Sequence, residues 1–227
     1  MKQLFNLRQI IYFSVGLTGI AFIAALQIKL NIGIGPWDGF GRSISYITGL
    51  KVGDIAMIQS IGCVLLTFML LKKDFKIRNV LTLVVGVILG SLMNFFFYTV
   101  LDKIVINSYI IKLFIFVISI VISAFFVSMV QTSEFVSLPL ENLCQVIADR
   151  NGKTFAFIRQ AVDVLCVIGI IVITIFFRVP LTLREGTILS MIIFSPFTGV
   201  FMPKLSAWLI KEGILSDRTQ THSPVTE

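Results

Sequence analysis

Nothing constrains the fold of this chain more than six long stretches that are almost free of charge. Read between charged residues, the uncharged runs are Gln9 to Ile28, Ile55 to Leu71, Asn79 to Leu101, Leu113 to Ser133, Val164 to Phe177 and Gly186 to Pro203. An apolar helix of about 18 residues or more crosses a hydrocarbon core about 30 Å thick at about 1.5 Å rise per residue. Five of the runs approach or exceed that length. The run from Val164 is short only because Asp163 interrupts it; extended back to Thr154 it is a 24-residue span with Arg159 and Asp163 inside it. Only 14% of the residues are charged and the mean hydropathy is +0.96, against about 25% charged in a soluble domain. The sequence therefore predicts an all-α, polytopic membrane bundle with spans at about 9–29, 54–72, 79–101, 109–131, 155–177 and 186–207, followed by a polar tail over 212–227.

A net charge of +7 would suit nucleic acid only if the basic residues shared one soluble face. Here they flank the apolar runs, so the expected partner is the lipid bilayer and no nucleic acid. With both termini inside, twelve Lys and Arg residues fall on inner segments and seven on outer ones, which favours cytoplasmic termini by the positive-inside rule. Cys63, Cys144 and Cys166 form no CxxC pair and read as packing residues, not as a disulfide framework or zinc site. The first run exceeds the core of a signal peptide, about 7–15 residues, and further spans follow it, so it is expected to be retained.

The chain repeats itself. At a constant offset of 103, Pro36 falls on Pro139, Asp38 on Glu141, Ile44 on Ile147, Gly49 on Gly152, Ile55 on Ile158, Cys63 on Cys166 and Val64 on Val167. Hydropathy repeats in the same register: span, loop with Pro-x-acid, span, short basic loop closed by Arg78 or Arg184, span. The repeats cover about 8–103 and 108–208 within one membrane domain. Three spans per half is an odd number, so the second half must enter the membrane from the opposite side. Inverted repeats of this kind characterise many secondary transporters, whose substrate sites lie at the midplane between the halves.

Gly33, Gly35, Pro36, Trp37 and Asp38 form a helix-start signal: flexible glycines, a proline suited to the first turn and an acid at the positive helix end. A helix from Pro36 to about Ile47 is about 18 Å long, too short to span. Its counterpart, Pro139 to Ala148, carries Glu141 near its start and places Leu140, Leu143, Val146 and Ile147 on one face. Each half thus contains a short non-spanning helix after its first span, lying on the surface or re-entrant. If both N-termini face a central cavity, the helix ends suit an anionic group, and Asp38 and Glu141 suit a cation, proton or amine; capping alone also explains an acid in a first turn. Arg159 and Asp163, four apart, share one helix face and can pair. A charge at the membrane centre costs about 2.5–3.5 kcal/mol even on the lower insertion scales, so the pair should face the bundle interior, as a substrate site or as a clamp between helices. Gln59 and Ser60 lie at the equivalent depth, and Asn94 inside the third span is expected as a further polar contact. Gly86 with Gly90, and Ala21 with Ala25, are small-residue packing pairs.

The phrase Gly33-Ile-Gly35-Pro36-Trp37-Asp38, followed by Thr48-Gly49-Leu50 and Gly53, resembles the YczE/YyaS/YitT group of bacterial membrane proteins over most of residues 8 to 208. Pro139, Glu141, Gly152 and Arg159 fit its second half, where Val136, Ser137 and Leu138 replace glycines and Glu141 replaces an aspartate. The resemblance implies a bacterial plasma-membrane location and supplies no substrate. No HExxH, GxSxG or GxxxxGK[ST] motif is present, and His222 lies in the polar tail. The expectation is a non-enzyme without cofactor or metal: a small secondary transporter of a polar or charged metabolite or ion, with Asp38, Glu141, Arg159, Asp163, Gln59 and Asn94 at its site. A non-transporting membrane scaffold and a substrate-binding subunit of an ATP-driven importer are the alternatives. A homodimer is reasonable for so small a bundle.

Overall fold

The computed structural model describes residues 7–214; His222 and most of the expected polar tail lie outside them. Eight α-helices follow in chain order: α1 Leu7–Leu30, α2 Pro36–Thr48, α3 Val52–Leu71, α4 Ile77–Phe95, α5 Tyr109–Thr132, α6 Pro139–Asn151, α7 Phe155–Phe177 and α8 Glu185–Lys211. All regular structure among the described residues is helical. Six helices are long and apolar enough to cross a membrane, at positions close to those expected, with α4 prolonged by a π turn at Phe96–Val100. The sixth runs beyond its expected end, through Pro196 and Pro203 to Lys211.

The element order repeats. α2 and α6 each have 13 residues, each begins with proline and each stops at a left-handed glycine, Gly49 at φ 71° and Gly152 at φ 61°. Proline cannot donate the missing first-turn hydrogen bond and glycine adopts φ > 0 without a Cβ clash, so the two residues fix the length of the helix between them. Asn31 and Glu134, which follow α1 and α5, both have positive φ. These pairs share the offset of 103.

The spans alternate in direction. Gln9 at the start of α1 donates to the Ser133 carbonyl after α5, and Arg150 at the end of α6 donates to the Leu70 carbonyl at the end of α3; these mark the near end of the bundle. Lys29 donates to the Asp102 carbonyl, and Tyr109 to Glu185, at the far end. Each short helix lies against the second span of the opposite half, α2 on α7 and α6 on α3. The third spans differ: α4 packs closely on α3, whereas α8 packs on α5. Small residues explain the α3–α4 approach. A Cβ on Gly90 would lie 2.5 Å from the Gly53 carbonyl oxygen, and one on Gly86 would lie 2.4 Å from Ser60 Cβ. Ala21 and Ala25 are wholly buried.

The loops entering the short helices differ, and the difference accounts for the degenerate second signature. Gly33 has φ 140°, and a Cβ there would lie 2.5 Å from the Thr187 nitrogen at the start of α8. Val136 stands at its repeat position without positive φ, and Val136 and Leu138 are buried against Phe13, Leu17, Val85 and Val130. The second loop descends through an apolar cluster and needs side chains where the first needs none. The amphipathic face expected of α6 shifts accordingly: Leu140, Leu143, Cys144 and Ala148 are buried, while Val146 and Ile147 are only half-buried.

Candidate functional site

Residues 159, 163, 166 and 170 recur at helical spacing along α7, placing Arg159, Asp163, Cys166 and Ile170 on one stripe. Ser60, Cys63 and Thr67 form the corresponding stripe of α3, and all three are buried. The N-termini of α2 and α6 enter between these two helices. Gln59 donates to the Trp37 carbonyl at 3.4 Å, and its side-chain oxygen lies 2.5 Å from where a Cβ of Gly41 would be. Pro139 lies beside Gly86 and Ser60. Gln59, Gly86 and Asp163 all lie about 10–14 Å inside their helices, at about 1.5 Å per residue, so both short helices begin well below the bundle ends. From there α2 rises to the far end, where Ser43 meets Thr182 at 2.9 Å, and α6 runs to the near end at Arg150.

This placement brings four of the expected residues together. Arg159 and Asp163 form an ion pair through Nη1 and Oδ1. Asp38 and Glu141, each in the first turn of its short helix, lie within electrostatic range of Arg159, of Asp163 and of each other. Loss of surrounding water pushes the Asp38 and Glu141 carboxyls above the ordinary carboxylate range, and Arg159 pulls against that shift. Asp163 pairs with the guanidinium, and Asp38 and Glu141 lie within its electrostatic range but beyond ion-pair distance, so the fully ionised group carries more negative than positive charge. The cluster is not sealed: the side chains of Arg159 and Asp163 keep 26% and 15% of their exposure, and Asp38 and Glu141 are half-buried.

Cys63 and Cys144 pack with Leu140 and Leu143 alongside, and all three cysteines are free and buried. Among the described residues no group of three His, Cys, Asp or Glu side chains is placed to hold a metal ion. Trp37 packs against the same cluster.

Asn94 does not join the acids, contrary to the sequence expectation. It lies near the far end of α4, where its oxygen accepts from the Gly53 nitrogen at 2.8 Å and its nitrogen donates to Asp54 at 2.7 Å. Its amide completes the first turn of α3, whose N-cap residue Lys51 makes no side-chain cap. An amide inside an apolar run does not reveal its depth or partner. Sequence reasoning also missed Thr182, which donates to the Gly39 carbonyl at 3.1 Å and so fastens α2 to the loop before α8. Asn142, beside Glu141, donates to buried Asn79 at 3.3 Å and was likewise not singled out.

The two arginines that precede the third spans make matching contacts across the halves. Arg184 donates to the Asn31 carbonyl, and Arg78 to the Glu134 carbonyl at 3.1 Å. Each arginine of one half thus grips the left-handed residue that ends the first span of the other.

Over 192 residues the chain is 26% identical to the "Uncharacterized protein YyaS" of Bacillus subtilis (strain 168), covering 85% of this chain and 91% of that protein. Over 164 residues it is 27% identical to the "Uncharacterized membrane protein YczE" of the same organism, covering 72% and 73%. No solved structure matches the chain significantly. The six apolar helices and the membrane-protein relative make this a multi-pass membrane protein. Residues 7–203 match the model of a family of unknown function, DUF6198, and the chain belongs to that family.

Proposed function

We propose that this chain is a small secondary transporter whose substrate is a positively charged metabolite or ion, bound where the N-termini of α2 and α6 meet the Arg159–Asp163 pair. One observation carries the reading: Asp163 pairs with Arg159 inside a membrane helix, and Asp38 and Glu141, in the first turns of both short helices, lie within electrostatic range of that pair, where unbalanced charge is costly. The halves, read as inverted repeats, would rock about this site to expose it alternately at the near and far ends. The protein sits in the bacterial plasma membrane with cytoplasmic termini, so the near end faces the cytoplasm. No step of covalent chemistry is assigned to it.

The test is uptake by purified protein in liposomes, presented with a metabolite mixture and read by mass spectrometry. Selective accumulation of a cation, lost in Asp163→Asn and Asp38→Asn, is the expected result; no enrichment by folded wild type overturns the proposal. A non-transporting scaffold is the second reading, favoured by the structural use of Asn94 and by an ion pair that α7 makes within itself. On that reading, replacing Arg159 and Asp163 together with leucine leaves the phenotype of the cell unchanged.

A further inference from the structure

At the far end, beyond the acid cluster, a cavity of about 440 Å³ opens between the 31–34 segment, α2 and the 180–184 loop. Its lining contains two arginines, Arg42 and Arg184, with Asn31, Tyr46 and Thr182, and no carboxylate. The carboxylate nearest in sequence, Glu185, lies within electrostatic range of Arg184 but outside this lining, so the lining itself is positively charged.

The repeat separates the two arginines. Arg184 has a twin in Arg78, which makes the same contact across the halves, so the architecture accounts for its presence. That contact occupies Nη1 alone, and a guanidinium has five N–H donors. Arg42 has no such account. Its repeat position holds Gln145, which donates to Asp149 on its own helix at 2.7 Å. Among the described residues Arg42 makes no ion pair. Its guanidinium carbon lies 4.6 Å from the centre of the Tyr46 ring and 5.3 Å from that of Phe97. Aromatic faces of this kind orient the guanidinium plane and leave its donor edges available. Asp38, one turn earlier on α2, is coupled to Arg159.

The geometry points to an oxyanion site between Arg42 and Arg184 that takes a phosphate group, carried by a soluble molecule or by a lipid headgroup. The guanidinium fork matches the spacing of phosphate oxygens, and such charge-assisted hydrogen bonds are about twice as strong as neutral ones. The apolar part of the lining, Ile28, Ile34, Leu181 and Leu183, suits the remainder of the ligand. The site stands apart from the acid cluster and does not depend on transport.

The experiment places the full chain in phosphatidylcholine nanodiscs and follows its Tm against inorganic phosphate at constant ionic strength set with sodium chloride. A parallel arm replaces part of the lipid with phosphatidylglycerol and omits phosphate. A saturable rise in Tm is expected in at least one arm: the first assigns a soluble phosphate, the second a headgroup. Arg42→Gln installs the residue of the other half and should weaken the apparent Kd about tenfold or more, the equivalent of one lost charge-assisted contact. If that variant does not fold, Arg42→Lys carries the comparison, because it keeps the charge and loses the fork; its curve must be weaker than wild type. No saturable rise in either arm, or an unchanged curve in the folded Arg42 variant, overturns the assignment.

Discussion

Arg159 is held by Asp163 on its own helix and lies within electrostatic range of Asp38 and Glu141, from helices of both halves. Taking away the guanidinium therefore leaves three carboxyls without a counter-charge, which a site poor in water tolerates badly. Removing one partner of a buried pair costs about 3–5 kcal/mol. The residual exposure of this pair puts Arg159→Gln at the low end, about 3 kcal/mol, read as a fall in Tm in detergent. Leucine at both positions removes both charges together and should fold better than Arg159→Gln alone, since a buried ion pair can be replaced by apolar residues at little cost. If the single variant proves as stable as wild type, the guanidinium is not the hub of the cluster.

The same residues set a pH dependence. Burial raises the Asp38 and Glu141 carboxyls, so their neutral forms persist to higher pH than in water. As pH rises through those values the cluster loses protons and gains negative charge. Cation binding should therefore strengthen with rising pH, protons being its competitors, and the dependence should flatten in Asp38→Asn. Isothermal titration, between pH 5 and pH 8, of a cation selected by the liposome test reads this directly, that range being the one where raised carboxyls titrate. A pH-independent affinity in wild type contradicts the placement of Asp38 at the site.

At the scale of elements, length and punctuation were legible in the sequence. The uncharged runs gave the spans to within a few residues, and the Pro-x-acid phrases gave the starts of α2 and α6, whose ends at Thr48 and Asn151 lie one and three residues beyond those expected. Long-range partners were not legible. Nothing local to Asn94 says that Gly53 and Asp54 will use its amide, and nothing near Thr182 says that it will meet Gly39 and Ser43. The three glycines Gly33, Gly49 and Gly152 look alike in the sequence yet do different work. Gly49 and Gly152 have nothing within 4 Å of an added Cβ, so alanine there should cost only the left-handed conformation, about 1–2 kcal/mol. Gly33 has both positive φ and a neighbouring backbone at 2.5 Å that belongs to α8. Gly33→Ala must also push α8 away from the 31–35 segment, and its fall in Tm should exceed that of Gly152→Ala. Equal effects would mean that the contact between Gly33 and α8 carries no stability.

At the scale of the whole molecule, two hydrogen bonds at matching positions of the sequence repeat join the halves. Arg184 grips the residue after α1 at the far end, and Arg78 grips the residue after α5 at the near end. If the halves rock to open one end at a time, each grip must loosen when its own end opens, so each holds its end shut. Arg184→Ala should then favour opening at the far end and Arg78→Ala opening at the near end, with the balance shifted in opposite directions. The buried cysteines report it without added labels, since Cys63 and Cys166 occupy matching places on α3 and α7, next to the acid cluster. In right-side-out vesicles, where the proposed topology puts the far end outside, a membrane-impermeant maleimide should label them faster in Arg184→Ala than in wild type. Arg78→Ala should gain labelling only in inverted vesicles. Cysteines equally protected in both variants from both sides would show that the grips only fasten a static bundle, and the scaffold reading would then displace transport.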